Sequence, residues 1–343
     1  MAKIFHTGTS VSFVYTHLVG ACFKLFLLQM TTFTMTSNGE QFPRTLEGFG
    51  YAFNKEGKLR KICGSTGQPG DDPFQFSVSE DHSFSQRHYE ALGEVITDYV
   101  YGLLENDLNL HRLDVPQSGS GPKSFIFATE DALQNPDKLL LLIHGSGVVR
   151  AGQWARSLII NDSLKTGTQI PYIKKAIECG YGVIIFNTND NTREIDGKEV
   201  KIKGSRDPKE HADYVWKHYV KESKAKHIAI VAHSYGGVVT VDLAINHFSD
   251  FQDRVFAIAL TDSVHSFQVQ KSSSKVVQYL QKVSRNWVAE DDPLDTPIPF
   301  HRPDIERVSA GHPRHEMTSS SSIDSVFKFL EERYRAVKKK DEL

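Results

Sequence analysis

Ser234, Asp262 and His315 lie along the 343-residue chain in the order serine, acid, histidine. A serine hydroxyl is a poor nucleophile until a histidine accepts its proton and a carboxylate fixes that histidine's tautomer. Ser234 stands in "VAHSYGG", with Ala232 two residues before it and Gly236 two residues after. Small residues at those positions allow a sharp strand-to-helix turn, the elbow that exposes a nucleophile; here alanine replaces the first glycine of G-x-S-x-G. Gly237 gives further room for close helix packing. The plainer reading is a glycine-rich turn with no chemistry. His144-Gly145-Ser146-Gly147 matches an oxyanion loop, so the backbone N–H groups of Gly145, Ser146 and Tyr235 are the candidate donors to a developing oxyanion. Glycines also serve an ordinary tight turn. Asp292 and Asp295 rival Asp262 as the acid, and His312 and His265 rival His315 as the base. His233, beside the serine, reads as a packing residue.

These residues need elements to place them. "KLLLLIHG", "YGVIIFNTN", "HIAIVAHS" and "VFAIALTDS" are continuous apolar runs, as expected of strands buried on both faces of a parallel sheet. Between them "IPYIKKAIECG", "PKEHADYVWKHYVKESKA" and "YGGVVTVDLAINHF" read as helices. "VVQYLQKVSRNW" reads as helical, "RVSAG" as a last short strand and "SIDSVFKFLEERYRAV" as a closing amphipathic helix. Upstream, "TLEGFGYAFNKEGKLRKI" suggests a hairpin, residues 88–108 an amphipathic helix and "FIFAT" a strand. The expected fold class is α/β, with a mainly parallel sheet and helices on both faces. Ligand sites in such sheets form at the carboxyl ends of strands. His144, Asn187, Asn189, Ser234 and Asp262 all fall there. "VVRAGQWARSLIIND" reads as a helix with a solvated basic face; alternatively Arg150, Gln153, Trp154 and Arg156 cover the site or hold an anionic ligand. "GKEVKIKGSRD" is the candidate exposed insertion.

A formal net charge of −2 leaves no global basic field, so direct nucleic-acid binding is not expected. The three cysteines have neither disulfide-framework nor zinc spacing, and no metal or other cofactor is called for. Lys340-Asp341-Glu342-Leu343 is an ER-retrieval tetrapeptide, which would engage the KDEL receptor in the lumen. Its necessary companion is a signal peptide, for which residues 1–35 are the candidate, with an N-terminal extension as the alternative. No transmembrane span is expected, because the apolar run there is short and interrupted by charge. Asn161-Asp162-Ser163 is a glycosylation sequon. The layout is thus a leader or extension over 1–35, a domain over 42–335 and a basic tail over 336–343.

The combined text "LLLLIHGSGVVRAGQWARSLIIN", "GYGVIIFN", "VAHSYGGVV", "ALTDSVHS" and "RHEMTS" resembles the Arb-two (Argonaute-binding protein two) domain family. The resemblance spans about residues 42–330 and implies an α/β-hydrolase-like fold with its nucleophile position at Ser234. It implies regulatory work in alternative splicing and in Argonaute- or chromatin-linked gene control, with Argonaute and chromatin-associated factors as partners. Nuclear, cytoplasmic and ER placements all go with that reading, and an ER-retrieval-like C-terminus is also a trait of the family. The alternative is an ER-retained serine hydrolase of esterase or amidase type. One departure is the short segment 191–208, where relatives carry a longer charged insertion; the nuclear role is in question to the extent that the insertion supplies it.

Overall fold

The computed structural model describes residues 33–35, 41–300 and 303–342. The leader-like segment up to residue 32 and Leu343 lie outside the described residues. Eight strands form the central sheet: β1 (His111–Val115), β2 (Ser124–Ala128), β3 (Lys138–Ile143), β4 (Gly182–Ile185), β5 (His227–His233), β6 (Val255–Thr261), β7 (Ser284–Val288) and β8 (Glu306–Ser309). Their order is β1-β2-β4-β3-β5-β6-β7-β8. β2 runs antiparallel to both its neighbours, β1 and β4, and the pairs from β4 through β8 are parallel.

The apolar runs explain this arrangement. Leu140, Leu142, Ala229, Val231, Ala257 and Ala259 face one core, and Leu139, Leu141, Ile143, Ile228, Ile230 and Ile258 face the other. Successive strand side chains point to opposite faces, so a run with no polar interruption must be covered on both. The first core is closed by α1 (His82–Gly102), α2 (Arg156–Asn161), α3 (Ile170–Glu178) and α7 (Ile323–Asp341), the second by α4 (Pro208–Val215), α5 (Tyr235–Asn246) and α6 (Ser274–Val283). Asp81 caps α1 and Asp207 caps α4, each accepting backbone N–H bonds from the first turn.

Several expectations change. The helical reading of "VVQYLQKVSRNW" holds only to Val283; Ser284–Val288 is strand β7, pairing with both β6 and β8. Its local pattern is too short to outweigh two ladders. Edge strand β1 had no apolar run to announce it, because its residues are largely exposed. Helix α1 starts at His82 rather than near His88, at the Asp81 cap. The stretch after the candidate oxyanion loop is not a solvated basic helix: Gln153, Trp154 and Arg156 are buried, and α2 begins only at Arg156. The candidate insertion forms a hairpin, Thr192–Ile195 against Lys198–Lys201, mostly exposed but tethered by buried Ile202 and Ser205.

Candidate active site

Strand β5 ends at His233 and hands Ser234 directly to α5. Ser234 holds φ +52° and ψ −117°, a region costly for a residue with a Cβ. Close packing imposes the turn. A Cβ on Gly236 would lie 2.5 Å from the Ile143 carbonyl oxygen, and one on Gly237 would lie 1.8 Å from Ser263 Oγ. The Ser234 N–H donates to the Thr261 carbonyl at 3.0 Å, while its own carbonyl accepts from Gly237 (3.1 Å) and Val264 (3.3 Å).

Asp262 follows β6 at once, with φ +47°. Its N–H donates to the Trp287 carbonyl at 2.7 Å, and its Oδ1 accepts the Ala289 N–H at 3.2 Å. Its Oδ2 pairs with His315 Nδ1 at 2.6 Å. His315 stands in the short turn His315–Met317 between β8 and α7. Burial pushes the Asp262 carboxyl up, but the His315 and Ala289 hydrogen bonds and the His315 charge bring it below the ordinary carboxylate value. The same bond to Asp262 raises His315 against its partial burial. His233 lies 4.7 Å from the His315 ring, centroid to centroid, and its Nδ1 donates to the Thr261 carbonyl at 2.9 Å. Burial and the neighbouring His315 lower His233 to about 3, so it stays neutral beside the base.

The candidate oxyanion loop, residues 144–147, is braced from below. His144 Nδ1 donates to the Gly145 carbonyl at 2.8 Å, and Asn189 Nδ2 donates to the same oxygen at 2.9 Å and to Val149 O at 3.1 Å. Across a trans peptide the Ser146 N–H points opposite to the Gly145 carbonyl, away from those braces. Gly145 abuts Ser234; a Cβ there would lie 3.1 Å from Ser234 Cβ. Asn187 Oδ1 accepts the Ala151 N–H at 2.9 Å and holds the next stretch. Sequence position marked Asn187 and Asn189, but their bracing role needed the fold.

Ser234 and His315 line one cavity of about 410 Å³ together with Gly145, Ser146, Trp154 and Arg156. Among the described residues no hydrogen bond joins the Ser234 hydroxyl to His315, contrary to the contact expected of an engaged base. Such bonds often tighten only when substrate is bound. The side chains of Asp295, His312 and His265 are committed elsewhere, while Asp292 is exposed and only its backbone carbonyl is bonded. Asp295 accepts from Trp287 Nε1 at 2.9 Å and from Ser325 Oγ at 2.5 Å, and His312 Nδ1 accepts the Arg314 N–H. The Asp292 carbonyl accepts from Ser309 Oγ at 2.7 Å, and His265 bonds Ser263 and Asp304. Ser234, His315 and Asp262 thus stand in the order of nucleophile, base and acid that acyl transfer requires, with the Ser146 and Tyr235 N–H groups as the candidate oxyanion donors.

Asn161 is exposed at the end of α2, its Nδ2 donating to Ser157 O at 2.9 Å. Lys340 and Asp341 belong to α7 and Glu342 caps it. Among the described residues no cluster of three or more His, Cys, Asp or Glu could hold a metal ion, and no helix is long and apolar enough to cross a membrane.

The Arb2 domain matches residues 42–294. Cotranscriptional regulator ARB2A of Homo sapiens is 44% identical over 85% of this chain and 81% of its own length. The protein of the same name from Mus musculus is 45% identical over the same shares. Among solved structures, a histone deacetylase from Saccharomyces cerevisiae aligns with TM-score 0.48 and 14% identity, covering 71% of this chain and 97% of that one.

Proposed function

This chain belongs to the Arb2 domain family, and from that membership we propose that it is a cotranscriptional regulator built on an α/β-hydrolase scaffold. The observation that carries the reading is the 44% identity to cotranscriptional regulator ARB2A over most of both chains. The finer proposal is action in alternative splicing and Argonaute- or chromatin-linked gene control, in nucleus and cytoplasm, through Argonaute and chromatin-associated proteins. The test is depletion in cells with rescue by the tagged full chain, reading exon inclusion and Argonaute recovery from chromatin. Altered exon choice restored by the chain is the expected result. Unchanged splicing with no nuclear pool overturns it.

A second reading, a serine hydrolase, is favoured by the 2.6 Å Asp262–His315 pair facing the cavity that Ser234 lines. Ser234 Oγ would attack an ester or amide carbonyl while His315 takes its proton and passes it to the departing alcohol or amine. Water would then cleave the acyl-enzyme and restore Ser234. Labelling of the purified chain by a fluorophosphonate, abolished by Ser234→Ala, is the expected result; an unlabelled folded chain overturns this reading. ER retention through residues 340–343, with the KDEL receptor as partner, belongs with this second reading. It predicts an endoglycosidase-sensitive glycan on Asn161, and a fully nuclear and cytoplasmic pool counts against it.

A further inference from the structure

Two residues that line the cavity beside Ser234 each carry a buried donor that the described residues leave unpaired. Among the described residues Trp154 Nε1 and Arg156 Nε, both sealed from solvent, have no hydrogen-bond partner, and both residues line that cavity. Ala155 between them is extended, at φ −148° and ψ 116°, so the side chains on either side of it leave the backbone in the same direction. Buried donors are normally satisfied by protein, water or ligand, and each unmade bond is costly.

Arg156 is placed with care. Its guanidinium crosses α1 at Gly93, where a Cβ would lie 2.6 Å from Nη1 and 2.8 Å from Cδ. Its Nη2 donates to Glu94 Oε1 at 3.0 Å, Thr97 Oγ1 at 3.3 Å and, just past the candidate oxyanion loop, the Val148 carbonyl at 2.9 Å. The Arg156 side chain is 3% exposed, whereas Glu94, its one carboxylate partner among the described residues, is 65% exposed. A buried cation is tolerated when paired with an anion. Here the pairing carboxylate comes from the solvent side and leaves Nε free.

We propose that this cavity takes an acyl group ending in a carboxylate, held by Arg156 Nε and Trp154 Nε1 while Ser234 meets the scissile carbonyl. The proposal rests on the hydrolase reading and names its substrate class: esters, thioesters or amides of short dicarboxylic acids. Val149, Trp154 and Ala155 supply an apolar wall for the methylene chain. Glu316, beside His315, also lines the cavity, so the carboxylate belongs at the Arg156 end. In the reaction the Ser234 oxygen bonds the acyl carbon as the bond to the leaving group breaks. His315 moves the serine proton to that group, and water then releases the free diacid.

The test measures glutarate and its neutral isostere glutaramide binding to the full chain carrying Ser234→Ala, by calorimetry. Glutarate is expected to bind about tenfold or more tighter, as a charge-assisted pair requires. Arg156→Gln is expected to abolish the preference and Trp154→Phe to weaken it. Glu94→Gln removes the competing carboxylate and is expected to strengthen glutarate binding, which a purely structural Arg156–Glu94 pair would not do. Because Glu94 is largely exposed, that variant keeps the test decisive should Arg156→Gln fail to fold. Equal binding of the two probes, or no gain with Glu94→Gln, overturns the proposal and leaves the donors to water. Turnover of monoglutaryl and methyl-capped glutaryl esters of 4-methylumbelliferone by the wild-type chain separates the two failures. Selective glutarate binding without turnover or fluorophosphonate labelling keeps the carboxylate site and removes the hydrolase. Equal hydrolysis of both esters does the reverse.

Discussion

Two serine–histidine–aspartate chains stand side by side in this molecule. In one, Ser263 Oγ bonds His265 Nδ1 at 2.8 Å and His265 Nε2 bonds Asp304 at 3.0 Å. In the other, Asp262 holds His315 at 2.6 Å and Ser234 stands across a cavity with no bond yet made. By hydrogen bonds alone the first is the more complete. Yet the His265 side chain is 3% exposed with both ring nitrogens engaged, and Ser263 Oγ is pressed against Gly237. His315 is 41% exposed, and among the described residues only its Nδ1 is taken. A base needs one nitrogen oriented by the acid and the other free to reach substrate. The closed chain instead braces the turn that carries Asp262, whose neighbour Val264 donates to the Ser234 carbonyl at 3.3 Å.

The contrast can be broken most directly by fluorophosphonate labelling. Ser234→Ala is expected to abolish it, and Ser263→Ala to leave Ser234 labelled; a probe found on Ser263 by peptide mapping would reverse the two roles. Asp262→Asn is expected to slow labelling by about 10²- to 10⁴-fold, the range of losses when the base's orienting acid is removed. The rate should also depend on pH in a stated direction. His315 works unprotonated and Asp262 raises its pKa, so labelling in wild type should climb at a pH above the ordinary histidine value. In Asp262→Asn the midpoint should move down; an unmoved midpoint would detach the acid from the base. Gly236→Ala forces a Cβ onto the Ile143 and His144 carbonyls and is expected to cost about 1–3 kcal/mol in urea unfolding. His265→Ala removes the side-chain bonds to Ser263 and Asp304, leaving each only a backbone N–H partner, and about 1 kcal/mol is expected, with labelling slowed less than by Asp262→Asn.

Much of the scaffold was legible beforehand. The uninterrupted runs at 138–143, 227–233 and 255–261 could be satisfied only between two apolar layers, and they became the central strands. Strand β7 was not legible, because Ser284–Val288 is a strand by virtue of its two neighbours. At the site, Ser234, Asp262 and His315 stood out by position at strand ends. The burial of Arg156 did not, since a basic residue in sequence is read as solvated until α1 is seen to cover it through Gly93.

Periodicity, small residues at turns and the order of polar strand ends are local properties, and they were enough for the α/β class, the elbow at Ser234 and the candidate acid and base. Which histidine keeps a free nitrogen, which serine faces space, and whether an arginine meets water or a cavity were decided only in the folded molecule. Those outcomes depend on contacts between segments far apart in the chain, such as Gly237 with Ser263, Asp262 with His315, and Gly93 with Arg156. Exposure and pairing are properties of that packing, and no window of sequence contains them.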